Sequence, residues 1–361
     1  LPVLKGKSCS MCFRIELKHY RLNFNSLEEH MFLKEFKTIL VAFVVLLFSI
    51  LPSSSGDVKL KLAGTYPVKH FGHGHISTMV DEINNAGVGL KMKYFPASQL
   101  GSGEELVEDA IRGNVDMVHA FVYAQSDPRL EVMNLPAMFP TFEKMQAAYG
   151  DANSPINKAL AMILKDLGLV YLANIGEGQI GIVASKKPED YTGFGDKGMN
   201  IRVWSSEVAK MTVESLGYRT TTMNWAEVFA AVQSGVVDGA ICCTAEWAYT
   251  TFAVAGVGKY YIPVNTNIEA STLYASGKTW DKLNDAQKEV ITKAANKAAS
   301  AIVNSAYERN EGFISQLKEA GWEILDFTDA ERDAMTDHIK KNVWPELEST
   351  IGKETLDMVM N

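Results

Sequence analysis

The side chains best suited to chemistry in this sequence are one arginine and three tryptophans that follow predicted strands. Arg202 lies in the segment NIRVW. Trp204, Trp225 and Trp247 fall at nearby junctions between a strand and a helix. A guanidinium binds a carboxylate through two parallel hydrogen bonds. A single tryptophan at a strand end is usually part of the core, but three near one guanidinium predict an aromatic pocket with an anchor for an anion.

Two further groups of reactive side chains are weaker evidence for a functional site. His70, His73 and His75 are close enough in sequence to suggest a metal site, but no cysteine or carboxylate lies within the run. The glycines between them favour a loop that enters a helix and faces a ligand, so we predict no metal and no cofactor. Cys242 and Cys243 are neighbours that would need a strained geometry to pair. Because no nearby base would lower a thiol pKa, we expect them to line a strand end and not to act as catalysts.

The composition describes a globular protein with a large core. The chain has 361 residues, 47% of them hydrophobic and 22% charged, which indicates two or three domains. Its net charge of -8 leaves no cationic surplus for a phosphate backbone, so we expect no nucleic acid partner. The four cysteines are too few and wrongly spaced for a disulfide scaffold or a four-thiolate zinc site. The sequence also lacks the motifs of phosphate-binding loops, dinucleotide folds, zinc proteases and serine hydrolases.

The segment before Asp57 predicts export. Residues 39–51 are apolar except for one serine, follow two lysines and precede the small residues PSSSG, which is the order found in a secretory signal peptide. The apolar run is too short for a comfortable membrane span. With Met31 as the start, we predict a signal peptide over 31–56, and residues 1–30 are expected to be an artefactual upstream extension. An uncleaved N-terminal anchor is the alternative.

The predicted mature chain alternates short apolar segments with helical patterns. Alternation of this kind predicts α/β units with largely parallel sheets. The predicted strands are 58–63, 90–95, 115–121, 169–173, 180–184 and 236–242, and the helical patterns lie at 74–84, 104–112, 205–216 and 226–233. A long alanine-rich helix follows, capped by Asn284 or Asp285, and its predicted buried stripe is Val290, Ile291, Ala294, Ala298 and Ile302.

A faint internal repeat suggests two lobes of similar topology. Glu105 stands eight residues before Gly113, and a second glutamate, Glu227, stands eight before Gly235. Each glycine opens a Gly-x-Val-Asp sequence. We predict that each glycine ends a helix in the left-handed conformation and that each Val-Asp pair starts a strand. Asn224 is expected to form a capping box with Glu227.

Four longer motifs extend this pattern. The motifs are FPASQLGSGEELVEDAIRGNVDM, LEVMNLPAMFP, MNIRVWSS and NWAEVFAAVQSGVVDG. In this order and spacing, they resemble the corresponding segments of the substrate-binding proteins of TRAP (tripartite ATP-independent periplasmic) transporters. The resemblance runs over essentially the whole mature chain. It implies a two-lobed α/β periplasmic binding protein of the Venus-flytrap type, with a ligand cleft between the lobes and long C-terminal helices. Lobe 1 would comprise 57–179 and about 268–307, and lobe 2 would comprise 180–267 and about 308–361.

The resemblance also implies a function. Such a protein captures a small carboxylate in the periplasm, closes about a hinge and delivers the solute to a separate membrane permease driven by an ion gradient. It is a binding protein and not an enzyme, and we expect a monomer.

The resemblance assigns ligand-binding roles to individual residues. Arg202 matches the arginine that clamps the ligand carboxylate, and Trp225 matches an aromatic residue that packs on the ligand. Phe121 lies at another position that faces the cleft, and Thr65 is a weaker match of the same kind. Trp247 would add to the apolar wall.

Three departures from the family pattern narrow the class of ligand that the site is expected to bind. Cys242 replaces a ligand-binding asparagine, Ile180 stands where some members have a second arginine, and Trp204 replaces a proline. The hydroxyl groups of a sugar acid would be buried without partners at such a site. We therefore expect a monocarboxylate with an aromatic or apolar body. The alternatives are an exported enzyme that uses Cys242, a binding protein that serves a sensor kinase or another transporter, and a membrane-anchored interaction protein.

Overall fold

The structure, a computed structural model, describes residues 57–360. The predicted signal peptide over 31–56 and the upstream segment 1–30 lie outside the described residues. The strands are β1 (Val58–Gly64), β2 (Leu90–Phe95), β3 (Met117–Ala120), β4 (Leu169–Gln179), β5 (Gly181–Ala184), β6 (Asn200–Val203), β7 (Arg219–Thr222), β8 (Gly239–Cys243), β9 (Tyr260–Ile262), β10 (Ile268–Ser276) and β11 (Glu323–Ile324).

The helices lie between and after these strands. They are α1 (Phe71–Asn85), α2 (Gly103–Arg112), α3 (Phe142–Gly150), α4 (Pro155–Asp166), α5 (Glu207–Ser215), α6 (Trp225–Ser234), α7 (Ala245–Trp247), α8 (Gly277–Trp280), α9 (Asp285–Asn304), α10 (Ala306–Glu319), α11 (Asp329–Asn342), α12 (Trp344–Ile351) and α13 (Lys353–Met360). A 3₁₀ helix spans Pro128–Asn134, and a π-helical turn, Ala248–Phe252, continues α7.

The described strands form two mixed sheets. The first has the order β2-β1-β3-β10-β4, in which β1 pairs in parallel with β2 and β3, and β10 runs antiparallel to β3 and β4. The second has the order β11-β9-β5-β8-β6-β7, in which β6 pairs in parallel with β7 and β8, and β5 runs antiparallel to β8 and β9. The predicted α/β class is confirmed.

The two sheets contain the same substructure, as the internal repeat predicted. The run β1-α1-β2-α2-β3 has the spatial order β2-β1-β3, and the run β6-α5-β7-α6-β8 has the order β7-β6-β8. An antiparallel strand follows in each sheet, β10 beside β3 and β5 beside β8. The carboxyl ends of two equivalent sets of parallel strands are therefore available to build a ligand site.

The Gly-x-Val-Asp sequences have the same structural role in both repeats. Their glycines end α2 and α6 with φ of 82° and 77°, as predicted. The strands start one residue after each aspartate, later than expected, because the aspartate itself bonds to the neighbouring parallel strand. Asp116 accepts from the N–H of Lys61 in β1 at 2.8 Å, and Asp238 accepts from the N–H of Asn200 in β6 at 2.8 Å.

The long helix α9 covers the first sheet. Its N-terminus has the predicted cap, in which Asn284 forms a capping box with Gln287. The helix packs against α1 and β4. Its predicted stripe is buried at Ile291, Ala294, Ala298 and Ile302 and half-buried at Val290.

The C-terminal helices contact elements near both sheets. Helix α11 packs on α5, whereas α13 packs on α4, the helix that leads into β4. Among the described C-terminal helices, α11 thus lies beside a helix of the second sheet and α13 beside the helix that leads into the first. Among the described helices, none is both long and apolar enough to cross a membrane.

Candidate functional site

A cavity of about 570 Å³ brings the predicted site residues together. Its lining comes from segments that belong to both sheets. The predicted residues in this lining are Thr65, Phe121, Ile180, Arg202, Trp204, Trp225, Cys242 and Trp247. Several of them end or directly follow the parallel strands β1, β3, β6 and β8, which is where α/β sheets commonly bind ligands.

Arg202 in β6 is the only lysine or arginine among the described residues that line the cavity. It is 4% exposed, and its Nε donates to the carbonyl oxygen of Met223 at 3.0 Å. Its two terminal Nη groups make no hydrogen bond with any described residue. Burial lowers the pKa of Arg202 to about 10, while Tyr123, Glu269 and Glu104 oppose the shift. The side chain is thus charged at neutral pH, and its fork is free for an anion.

Aromatic rings flank this guanidinium. Trp225 stands in the first turn of α6, and its ring centre lies 5.9 Å from Cζ of Arg202, within the range of a cation–π contact. Trp247 and Trp225 meet edge to face at a centroid distance of 5.6 Å. Phe121 and Trp204 are half-buried in the same lining. The wall therefore offers apolar, flat surfaces beside one cation.

A buried polar network holds Trp247 in the wall. Its indole Nε1 donates to Oε2 of Glu177 at 3.1 Å. Oε1 of the same carboxyl accepts from Tyr66 Oη at 2.7 Å and from Ser271 Oγ at 2.8 Å. Burial raises the pKa of Glu177 to about 7, against the effect of these three donors.

Neighbouring groups extend the network across the fold. Glu246, in α7, accepts from the N–H of Phe71 at 2.9 Å and pairs with Arg309 of α10. Arg309 also donates to the carbonyl oxygen of Glu177 at 3.1 Å. The position of the Trp247 ring therefore depends on α1, β4, α7 and α10 together.

The histidine group does not face the cavity, which corrects the expectation of a ligand-facing loop. His70 caps α1, and its Nδ1 accepts from the N–H of Gly72 at 3.1 Å. Its ring stacks on Tyr66 at 4.2 Å, and burial lowers its pKa to about 2. In the part of the chain that the structure describes, no group of three His, Cys, Asp or Glu side chains could hold a metal ion.

Cys242 and Cys243 form a disulfide, contrary to the expectation that neighbours would stay unpaired. The register of β8 against β5 explains the error. Gly181 pairs with Cys243 and Ile182 with Ile241, so Cys242 is left out of the ladder as in a bulge. The backbone there is released from regular strand geometry. Cys242 lines the cavity as half of a disulfide and offers no free thiol to act as a nucleophile.

The predicted capping box at Asn224 is also absent. Asn224 does occupy the N-cap position of α6, but its side chain makes no capping hydrogen bond, and the residue lines the cavity. The equivalent position in the first repeat does carry the box, formed by Ser102 and Glu105.

Tyr123 and Glu269 are two of the lining residues that the sequence did not predict. Tyr123 lies two positions beyond Phe121, and its ring packs so closely on Gly103 that a Cβ there would lie 2.9 Å from it. Glu269 lies in β10, a strand that was not predicted. An acidic residue inside the otherwise uncharged run NIEASTLYAS was the signal that could have revealed it.

This fold and this cavity define a two-lobed α/β solute-binding protein. Residues 63–349 match the family model described as bacterial extracellular solute-binding protein, family 7. The chain belongs to this family. The predicted resemblance to TRAP substrate-binding proteins and the predicted periplasmic location are thereby confirmed.

Three similar proteins illustrate the relationship. An uncharacterised protein of Salmonella typhimurium, YiiZ, is 30% identical over 281 residues, which cover 75% of this chain and 82% of that one. A TRAP binding protein from Desulfovibrio salexigens with bound orotic acid superposes with a TM-score of 0.75 at 17% identity, covering 84% and 96% of the two chains. A TRAP binding protein from Sulfitobacter with bound β-D-galacturonate has a TM-score of 0.73 at 23% identity, with coverage of 84% and 98%.

Proposed function

We propose that this chain captures a monocarboxylate with an aromatic or apolar body and delivers it to the membrane permease of a TRAP transporter. The observation that carries the proposal is the buried guanidinium of Arg202, whose Nη groups are free toward a cavity with aromatic walls. We further propose that the protein is a monomer and catalyses no reaction.

The anion-binding part of the proposal follows from the state of Arg202. A cation that is 4% exposed has lost most of its hydration, and an anion that enters the cavity would restore its partners. Hydrogen bonds to charged groups contribute about 1.5 to 3 kcal/mol each. A carboxylate with two parallel bonds to the fork is the simplest partner of this geometry.

The proposed aromatic or apolar body of the ligand follows from the residues that line the cavity. Trp204, Trp225 and Phe121 offer ring faces or edges, and Ile180 and Ile268 add aliphatic surface. A cavity of about 570 Å³ suits a small ligand, since such pockets commonly measure about 300 to 1,000 Å³. The similar structures bind a planar ring acid in one case and a sugar acid in the other. The aromatic wall supports the first kind of ligand for this chain.

A thermal-shift screen of the exported protein tests this proposal. The panel contains aromatic acids, branched oxo acids, dicarboxylates and sugar acids, each with the parent and with Arg202→Ala. A ligand at 100 times its Kd adds about 2.7 kcal/mol of stability, so a shift is easily seen. We expect an aromatic acid to stabilise the parent but not Arg202→Ala. Arg219→Ala, which removes an exposed arginine of β7, is the matched control and should respond like the parent.

Different results would contradict different parts of the proposal. A sugar acid that binds more tightly than every aromatic acid would show that the ligand class is wrong. If a ligand stabilises Arg202→Ala as much as the parent, Arg202 does not bind the ligand carboxylate. Conversion of a bound acid to product would favour the exported enzyme, and a dimer mass in light scattering would contradict the monomer.

A further inference from the structure

Glu269 is a buried carboxyl of the cavity wall without a hydrogen-bond partner among the described residues. It lies in β10 beside an irregularity in the pairing with β4, between Glu269 and Ala270. The residue is 9% exposed and lines the cavity. Its Oε2 is fully buried and accepts no hydrogen bond from any described residue. Its Oε1 accepts no hydrogen bond from a described residue either, and because buried carboxyl oxygens are normally satisfied, this carboxyl has acceptor capacity left for a partner from outside the chain.

Other buried glutamates of the same protein show what a structural role looks like. Glu131 accepts three hydrogen bonds, and so does Glu177. Both are enclosed by protein donors. Glu269 differs from them by facing the cavity and by having no such donors, and the stability lost by burying it is not offset inside the chain.

The charges around Glu269 leave its acceptor capacity intact. Burial and the neighbouring Glu177 raise its pKa, and Arg202 opposes the shift. A protonated carboxyl still has an acceptor oxygen, and an ionised one has two. In either state Glu269 can accept a hydrogen bond. Thr65 Oγ1, also in the lining, is a second buried polar atom without a partner among the described residues.

We propose that Glu269 is the second recognition residue of the cavity and accepts a hydrogen bond from an O–H or N–H group on the body of the ligand. The proposal rests on the proposed function and narrows it. Arg202 binds the ligand carboxylate, and the aromatic rings of the wall pack against the flat body of the ligand. Glu269 then favours ligands whose body bears a hydrogen-bond donor. Hydroxyaryl and indole acids belong to this class, and plain phenyl and naphthyl acids do not.

The test compares acids that differ mainly in this donor. The pairs are 4-hydroxyphenylpyruvate with phenylpyruvate, and indole-3-acetate with 1-naphthylacetate, measured by titration calorimetry. In the parent we expect the donor-bearing acid of at least one pair to bind about tenfold or more tightly, because a site built to accept a hydrogen bond rejects an analogue that lacks the donor. The preference should fall below about twofold in Glu269→Leu. Glu269→Gln, whose amide oxygen can still accept, should retain part of it.

Thermal unfolding without ligand separates this role from a structural one. Removing an unpartnered buried carboxyl should leave the melting temperature of Glu269→Leu unchanged or raise it. An unchanged preference in Glu269→Leu would overturn the proposal, and a lower melting temperature beside it would show that the carboxyl has a structural role instead. Equal affinities within both pairs in the parent would also overturn it, while measurable binding of those acids would still support the proposed function. If none of the four acids binds, the aromatic ligand class itself is wrong.

Discussion

Replacing Glu177 with glutamine should change how the stability of this protein depends on pH. Glu177 is buried behind the cavity wall, where burial raises its pKa to about 7 from an ordinary value of 4.5. A carboxyl with a raised pKa in the folded state favours folding while it is protonated. Its contribution is fully present below pH 4.5 and is lost as the pH rises through 7.

The size of the effect follows from these two pKa values. Between pH 5 and pH 8, proton linkage gives a loss on the order of 2 to 3 kcal/mol from Glu177. Two buried histidines act in the opposite direction, since burial lowers the pKa of His70 to about 2 and that of His119 to about 3. Their contribution is present above pH 6.5 and is lost as the pH falls toward those values. Both histidines remain in the variant, so a comparison with the parent reports Glu177 together with its effect on the neighbouring carboxyl of Glu269.

Urea unfolding at pH 5, 6, 7 and 8 measures the effect. Relative to Glu177→Gln, the parent should lose on the order of 2 to 3 kcal/mol of unfolding free energy from pH 5 to pH 8. Glutamine also disturbs the hydrogen bond from Trp247, but that cost applies at every pH and does not change the slope. Glu108→Gln, at an exposed position of α2, is the control, and its curve should run parallel to that of the parent.

Parallel curves for the parent and Glu177→Gln would refute this reasoning. They would mean that the donors Tyr66, Ser271 and Trp247 keep Glu177 ionised over the whole range and that hydrogen bonding outweighs burial.

Three further predictions concern the backbone and the cysteines. The exported protein should take up no alkylating reagent at Cys242 or Cys243 when denatured without reductant and two equivalents after reduction; uptake before reduction would contradict the disulfide. Gly239→Ala should lower the melting temperature sharply, because a Cβ in β8 would collide with the carbonyl oxygen of Val183. Gly74→Ala should raise stability by about 0.5 to 1 kcal/mol in urea unfolding, because this α1 position has open space around it and alanine favours a helix; a loss would count against that reading.

Local features of the fold were predictable because neighbouring residues determine them. The two repeat glycines end their helices in the left-handed conformation, and Asn284 caps the long helix, as their types and spacing indicated. The apolar period of α9 identified the face that packs on the first sheet. In these cases a few residues close in sequence carry the whole signal.

The site residues could be predicted where this sequence matches the motifs of the family. All eight residues named from the sequence lie in one cavity. Glu269 could not be predicted as a site residue because β10 returns between β3 and β4 from a distant part of the chain. The disulfide could not be predicted either, because the bulge that permits it depends on the register of β8 against β5.

The sequence by itself determined the α/β class, the repeated halves, the family and the arginine with its tryptophans. These depend on residue types, on periodicity and on motifs that are continuous in the chain. The tertiary structure decided which polar groups are satisfied. Among the described residues, Glu177 has three hydrogen-bond donors and Glu269 has none, although both are glutamates in buried strands. The donors to Glu177 come from segments about 70 to 110 residues away in sequence, and only packing brings them together.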